Sequence, residues 1–219
     1  MKLLLNALFL LLVAIPVYAF DPVMTDITQP YEITTIDESD ASASDYLGEL
    51  SGFPVMYEVT SDRPFTLQAK VHQLYRAGEK PVPFSLIAIR QNERGGGVTE
   101  VARLNPADED WQKIKSSQLG MTTWVSPVVT AAVESGTYRV EISTPENAGK
   151  YLLSFGTQET NDGYFATLAG IRRTQKFFDY SIFKMLSSSY VYYPLGIFFI
   201  LFVGQRIWRY RKLIAPNAA

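Results

Sequence analysis

Residues 134–155, ESGTYRVEISTPENAGKYLLSF, decide the fold of this chain. In residues 137–143 a Tyr, a Val and an Ile alternate with an Arg, a Glu and a Ser, and residues 150–156 repeat the alternation with Tyr, Leu and Phe. Successive side chains on a β-strand point to opposite faces, so both segments are predicted to be strands with one buried face. Residues 145–149, which contain Pro, Asn and Gly, are predicted to be the turn that joins them.

Upstream of this pair, strand-forming composition and turn signals predict six further strands. They are residues 46–50, 55–60, 65–74, 84–90, 98–104 and 128–133. About eight short strands with closely spaced turns are typical of a mainly β protein. We therefore predict that residues 45–157 form an antiparallel β-sandwich of the jelly-roll type.

The same C-terminal pair of strands resembles a known family. Residues 134–143, ESGTYRVEIS, are followed at residues 149–155 by GKYLLSF. This order of Gly-Thr-Tyr, strand, turn, Gly-x-Tyr and strand is similar to the closing hairpin of bacterial pre-peptidase C-terminal-like sandwich domains. The resemblance implies a small sandwich with a binding or accessory role, and it transfers no catalytic residue to this chain.

Residues 190–208 form an apolar stretch of nineteen residues whose only charged residue is Arg206. A helix of that length spans about 28 Å, close to the thickness of the hydrocarbon core of a bilayer. Three serines at residues 187–189 are predicted to break or cap the chain before it. We predict one transmembrane helix over residues 188–208 and a basic cytoplasmic tail over residues 209–219. The residues predicted at its membrane interfaces are Tyr190, Tyr192, Tyr193, Trp208, Arg209, Arg211 and Lys212.

The first nineteen residues have the composition of a secretory signal peptide. Lys2 supplies a positive start, residues 3–17 are mostly apolar, and Val17 and Ala19 place small residues at the two positions that a signal peptidase recognises. Cleavage after Ala19 is predicted, and an uncleaved signal anchor is the alternative. Either outcome places residues 20–185 outside the cytoplasm and the C-terminus inside, in a single-pass membrane protein of a bacterial-type cell envelope.

Two polar segments border the predicted sandwich. Residues 20–44 contain few large apolar side chains and are predicted to be a flexible leader. Within it, Asp37, Glu38 and Asp40 lack the spacing of a calcium loop and are predicted to form a solvated turn. Residues 158–163 are predicted to be a linker.

Residues 164–187 carry apolar side chains at helical spacing, with Arg172, Arg173 and Lys176 away from that stripe. We predict an amphipathic helix next to the membrane. It is expected to lie in the headgroup region, with the three basic residues facing lipid phosphates, or against a partner protein. The alternative is a helix that packs against the sandwich.

Composition restricts the chemistry open to the chain. It contains no cysteine, which excludes disulfides, thiol nucleophiles and thiolate metal sites. Its only histidine, His72, falls on the polar face of residues 65–74 and is predicted to be a surface residue. The net charge of −2 has both signs interspersed, which gives no reason to expect a nucleic-acid partner. No metal site and no cofactor are predicted.

Two groups of residues are candidates for contact with an envelope protein or a glycan. Asn92, Glu93 and Arg94 belong to a loop, QNERGGG, in which the glycines fit a hairpin better than a phosphate-binding loop. Trp111 and Trp124 could stack on sugars, although single tryptophans are more often part of a core.

These features predict a non-enzymatic binding or accessory module, anchored in the bilayer and displayed on the outer side. One alternative is a carboxylate-dependent hydrolase that uses Glu100, Asp108 or Asp110, although adjacent acids at the start of a short helix over residues 107–115 more often serve the helix dipole. Another is a surface protein processed at a C-terminal sorting signal, for which no LPxTG-type motif precedes the apolar span.

Overall fold

The structure, a computed structural model, describes residues 20–36, 43–91, 97–107, 110–156 and 163–214. Within these residues, twelve strands form two sheets, and helical segments follow them. The strands are β1 (Val23–Thr25), β2 (Ile33–Ile36), β3 (Ala43–Ser51), β4 (Val55–Ser61), β5 (Phe65–Leu74), β6 (Ser85–Gln91), β7 (Val98–Leu104), β8 (Gln112–Ser116), β9 (Met121–Val125), β10 (Val129–Val133), β11 (Gly136–Ser143) and β12 (Ala148–Gly156). The helices are α1 (Tyr164–Phe177), a 3-10 helix (Ile182–Ser187) and α2 (Ser189–Ile214).

The predicted β-sandwich is confirmed. One sheet has the order β1-β3-β12-β5-β9-β8, with β10 also paired to β5, and the other has the order β2-β4-β11-β6-β7. The pairings β1–β3 and β2–β4 are parallel, so the sheets are mixed rather than wholly antiparallel. The strands predicted at residues 137–143 and 150–156 are β11 and β12, and they lie in opposite sheets rather than in one hairpin.

The parallel pairs come from the segment that was predicted to be a flexible leader. β1 pairs with β3 from Val23 opposite Tyr46, and β2 pairs with β4 from Ile33 opposite Met56. These short edge strands are stabilised by backbone hydrogen bonds to a neighbouring strand. Such pairing requires few large apolar side chains. Ile36 nevertheless reaches the core and is 1% exposed. The acidic residues Asp37, Glu38 and Asp40 lie outside the described residues.

A second correction concerns the predicted short helix at residues 107–115. Residues 112–116 form β8, which pairs antiparallel with β9 at the end of the larger sheet. The side chains of β8 are mostly exposed, so hydrogen bonding to β9 rather than burial holds it in the sheet.

The main core lies between the two sheets and contains the inward-facing residues of both. Its largest buried side chains include Tyr57, Tyr138, Tyr151, Phe84 and Phe155. The hydroxyls of Tyr57 and Tyr151 lie 3.0 Å apart, and the Tyr57 hydroxyl also donates to Thr25 Oγ1 at 3.2 Å. Burial raises the pKa of Tyr57 to about 12, so this hydroxyl stays protonated and satisfies its hydrogen bonds inside the core.

A second core lies on the outer face of the larger sheet, beneath α1. It comprises Phe20, Leu47, Leu119, Met121, Leu152, Ile171 and Phe178. Ile171, in the middle of α1, is fully buried. The helix therefore packs against the sandwich, which was the alternative prediction, and it ends near Phe178 instead of continuing to residue 187.

Candidate functional site at the base of helix α2

Helix α2 is the one helix in the described part of the chain that is long and apolar enough to cross a membrane. The apolar section, Ser189–Tyr210, has 22 residues and is about 33 Å long. Several of its predicted interface residues, Tyr192, Tyr193, Trp208 and Arg209, have exposed side chains. Arg211 and Lys212 belong to α2, but their side chains are outside the described set.

The first residues of α2 are hydrogen-bonded to the sandwich. The Ser188 hydroxyl donates to the carbonyl of Gln118, and the Ser189 backbone N–H donates to the carbonyl of Ser117 at 2.8 Å. Ser188 is fully buried, and its hydroxyl also accepts the Tyr190 N–H at 3.3 Å, which confirms the predicted serine cap. The turn between β8 and β9 therefore holds the start of the helix.

Gln175 of α1 extends this junction. Its side-chain Nε2 donates to the carbonyl of Leu119 at 2.7 Å and to the carbonyl of Lys184 at 3.3 Å, and the residue is fully buried. One amide thus joins the β8–β9 turn, α1 and the 3-10 helix. Breaking such a bond would leave a buried carbonyl without a hydrogen-bond donor, which costs about 1–3 kcal/mol.

Gly120 permits the close approach of these segments. Its φ of +65° lies in the left-handed region, and a Cβ atom at this position would lie 2.6 Å from the carbonyl carbon of Ser187. Glycine alone meets both requirements at no steric cost. We call the contacts among residues 117–120, Gln175 and residues 187–190 the junction.

Tyr164, at the start of α1, gives the junction a further contact. Its hydroxyl donates to the carbonyl of Tyr190, and the two rings have centroids 6.1 Å apart. Tyr190 is half-buried and packs against the second core, and its predicted place at the membrane interface stays a prediction. Apart from the serine cap, the junction was not predicted from the sequence, since the bonds from Gln175, Ser188 and Ser189 to the β8–β9 turn form only in the folded domain.

The basic residues of α1 have different surroundings. Arg173 donates to the Asp21 carboxylate and to the carbonyl of Pro22, and Arg172 donates to the carbonyl of Tyr180 at 3.1 Å. Lys176 is exposed. The two arginines therefore hold parts of the domain together, and a contact of these three residues with lipid stays a prediction.

A cleft of about 240 Å³ lies beside the end of α1. Lys150 donates to the carbonyl of Phe177 at 2.9 Å and forms an ion pair with Asp179 at 2.9 Å. Arg76 and Glu79 lie on the wall of the cleft, 3.9 Å from each other. The cleft therefore combines charges of both signs and lacks the single sign that would select an anion or a cation.

The two tryptophans proposed for glycan contact are part of or next to the main core. Trp111 is 4% exposed, and Trp124 is half-buried with its ring 5.2 Å from that of Tyr75. This agrees with the interpretation of single tryptophans as core residues. Residues 92–94, the other candidate contacts, lie outside the described residues.

The candidate acids of the hydrolase alternative have local partners. Arg103 pairs with Glu100 at 2.6 Å, and this pair is solvent-exposed. Asp110 accepts the backbone N–H of Ala107 at 2.8 Å, and Asp108 is outside the described residues. Among the residues that the structure describes, no group of three His, Asp or Glu side chains could hold a metal ion.

The prediction of His72 as a surface residue was wrong. It is half-buried on the outer face of β5, where its Nε2 lies 3.3 Å from the hydroxyl of Ser154. That hydroxyl donates to the carboxylate of Asp45. The serine lies between the acid and the imidazole, whereas a catalytic triad places the imidazole in the middle. The arrangement is therefore a structural network, and burial together with the nearby charge of Lys70 lowers the pKa of His72 to about 3.

His72 is expected to make the protein less stable in acid. Its pKa is near 6.5 in the unfolded chain and about 3 in the folded one, so the unfolded state binds the extra proton between these values. Stability consequently falls as the pH drops through this window, by up to about 1.4 kcal/mol per pH unit. Thermal unfolding of the full chain in detergent between pH 7.5 and 4.5 should show a weaker pH dependence for His72→Gln than for wild type. If the unfolding midpoint of both proteins changes equally with pH, the lowered pKa of His72 is contradicted.

Similarity to known proteins is found among solved structures. No protein-family model matches the sequence, and no curated protein matches it. Among solved structures, the pre-peptidase C-terminal domain of collagenase from Bacillus anthracis matches 59% of this chain and 98% of its own, with 10% identity and a TM-score of 0.35. A β-glucosidase from Paenibacillus barengoltzii matches 62% of this chain but only 13% of its own, with 11% identity and a TM-score of 0.26. The collagenase domain is a pre-peptidase C-terminal domain, the family that residues 134–155 resemble. At 10% identity this similarity concerns the fold alone.

Proposed function

We propose that this protein is a single-pass membrane protein that displays its sandwich outside the cytoplasm as a non-enzymatic binding or accessory module of the cell envelope. A sandwich followed by a helix able to span a membrane supports the anchored arrangement. The signal-like residues 1–19 and the basic residues after the apolar span support the orientation.

The observation that carries this proposal is the junction. Hydrogen bonds from Ser188, Ser189 and Gln175 to the β8–β9 turn tie the sandwich to the base of α2. A domain on a flexible tether samples many orientations, and it must lose that freedom when it binds. A domain held at a defined orientation to the bilayer presents the same face to a neighbouring envelope component each time. This favours a docking or assembly role.

Orientation can be tested by labelling, because the natural chain contains no cysteine. Val98→Cys places a thiol on an exposed strand, and Asn217→Cys places one in the tail. In intact cells a membrane-impermeant maleimide should label the first variant, and the second only after the membrane is opened. Labelling of Asn217→Cys alone in intact cells would reverse the proposed topology.

The binding role can be tested by crosslinking the full chain in its membrane and capturing it after detergent extraction. We expect an envelope protein or glycan to be enriched over an unrelated single-span protein. Gln175→Ala, which removes a junction contact, should weaken this capture, whereas Gln112→Ala on the exposed face of β8 should not. If wild type enriches nothing above the unrelated protein, the proposed binding role is wrong.

A further inference from the structure

The 3-10 helix exposes large apolar side chains next to the start of α2. Ile182, Phe183 and Leu186 are 64%, 76% and 55% exposed. They are separated from Ser189, where α2 begins, by only a few residues. Exposed apolar side chains concentrated in one short segment are typical of a surface that contacts something less polar than water.

Phe165, at the start of α1, belongs to the same region and is 83% exposed. Its ring lies 5.5 Å from that of Tyr164, which in turn contacts Tyr190 in the first turn of α2. Two separate segments of the chain therefore place exposed apolar groups near the base of α2. We call Phe165, Ile182, Phe183 and Leu186 the apolar patch.

The length of α2 indicates the depth at which the patch lies. Ser189–Tyr210 extends for about 33 Å, against about 30 Å for the hydrocarbon core of a bilayer. When this section spans the bilayer, the first turn of the helix is expected at one lipid boundary. Leu186 lies three residues before Ser189 and cannot be more than about 11 Å from it. The junction also includes the 3-10 helix, since Gln175 Nε2 donates to the carbonyl of Lys184 at 3.3 Å.

We infer that the apolar patch inserts into the headgroup and upper acyl region of the bilayer beside α2. This inference rests on the proposed membrane anchoring and adds a second lipid contact, which fixes the tilt of the sandwich. Amphipathic segments bury apolar side chains at this depth while their charged groups stay with the phosphates. Lys176 is exposed, and Lys184 lies in the 3-10 helix itself with its ammonium 4.8 Å from the Tyr180 ring. The 3-10 helix thus adds a membrane contact next to the one predicted for Arg172, Arg173 and Lys176.

The absence of cysteine in the natural chain makes a direct test possible. Single cysteines at Phe183, Leu186, Val98 and Phe199 are labelled with an environment-sensitive fluorophore, and each full-length protein is reconstituted into phosphatidylcholine–phosphatidylglycerol vesicles. The vesicles carry nitroxide lipids with the spin label either near the headgroup or deep in the acyl chain. Labels at 183 and 186 should show blue-shifted emission that the shallow nitroxide quenches most. The label at 98 should stay unquenched, and the label at 199 should be quenched by the deep nitroxide.

The other possible outcomes distinguish a failure of this inference from a failure of the proposed membrane anchoring. If label 199 is quenched but labels 183 and 186 behave like label 98, the patch does not reach lipid and only the anchoring stands. If labels 183 and 186 are blue-shifted without nitroxide quenching, protein covers the patch, and the inference is overturned. If label 199 is also unquenched, the span itself is not in the bilayer and the proposed function fails.

Discussion

Replacing Ile171 with alanine is expected to lower the free energy of unfolding by about 2–5 kcal/mol. Ile171 is fully buried between α1 and the larger sheet, where it packs with Leu152, Met121 and the rest of the second core. Alanine would leave a cavity that neighbouring strands cannot close. Thermal unfolding of the full chain in detergent, followed by circular dichroism, should show a midpoint lower by about 5–15 °C.

Lys176→Ala is the matched control for this substitution. Lys176 lies on the same helix and is exposed, so its loss should change the midpoint little. An Ile171→Ala midpoint equal to that of Lys176→Ala would contradict the packing of α1 on the sandwich. It would favour instead the first prediction from the sequence, in which this helix lies on lipid or on a partner.

Sequence patterns predicted the strands of the main core closely. The segments predicted at residues 65–74 and 98–104 are β5 and β7 with the same bounds, because their side chains alternate and turn residues flank them. The strand β9 was missed although its buried and half-buried side chains alternate. The strands β1, β2 and β8 were missed for one physical reason. They lie at or near sheet edges, where hydrogen bonds to β3, β4 and β9 stabilise polar sequence, and backbone pairing leaves no pattern in the side chains.

The second core left a signal that could have been used. In KYLLSF, Leu152 lies between Tyr151 and Leu153 and breaks the alternation, and Leu47 does the same next to Tyr46. Consecutive apolar residues in a strand indicate burial on both faces of the sheet. Those two leucines face α1 in the structure, and the same cover explains why His72, on a mostly polar face, is half-buried.

The junction could not be predicted in this way. Gln118, Gln175 and Ser188 are ordinary polar residues in the sequence. The bonds that tie them to the β8–β9 turn, from Gln175 to Leu119 and from Ser188 to Gln118, join residues 56 and 70 positions apart. A polar side chain that is buried by tertiary packing has the same local sequence context as one in solvent. Only a residue with an unusual backbone requirement, such as Gly120, could have drawn attention to the β8–β9 turn.

Gly120→Ala is expected to loosen the junction. The left-handed backbone costs a residue with a Cβ about 1–2 kcal/mol, and the Cβ would also meet the Ser187 carbonyl carbon at 2.6 Å. That neighbour is backbone and cannot rotate away, so overpacking should add about 1–3 kcal/mol. Hydrogen exchange of the full chain in nanodiscs should be faster for the Ser189 amide, which in the native chain donates to Ser117.

Gly52→Ala isolates the contribution of the junction. Gly52 also has a positive φ, +90°, but nothing lies within 4 Å of a Cβ placed there. It therefore carries the backbone cost without the clash, and exchange at Ser189 should stay at the wild-type rate. If both variants lose the same stability and neither changes exchange at Ser189, the base of α2 does not depend on the β8–β9 turn. If Gly120→Ala alone speeds exchange at the Ser189 amide, the β8–β9 turn holds the base of α2. The sandwich and the helix then move as one body, as a module with a defined orientation requires.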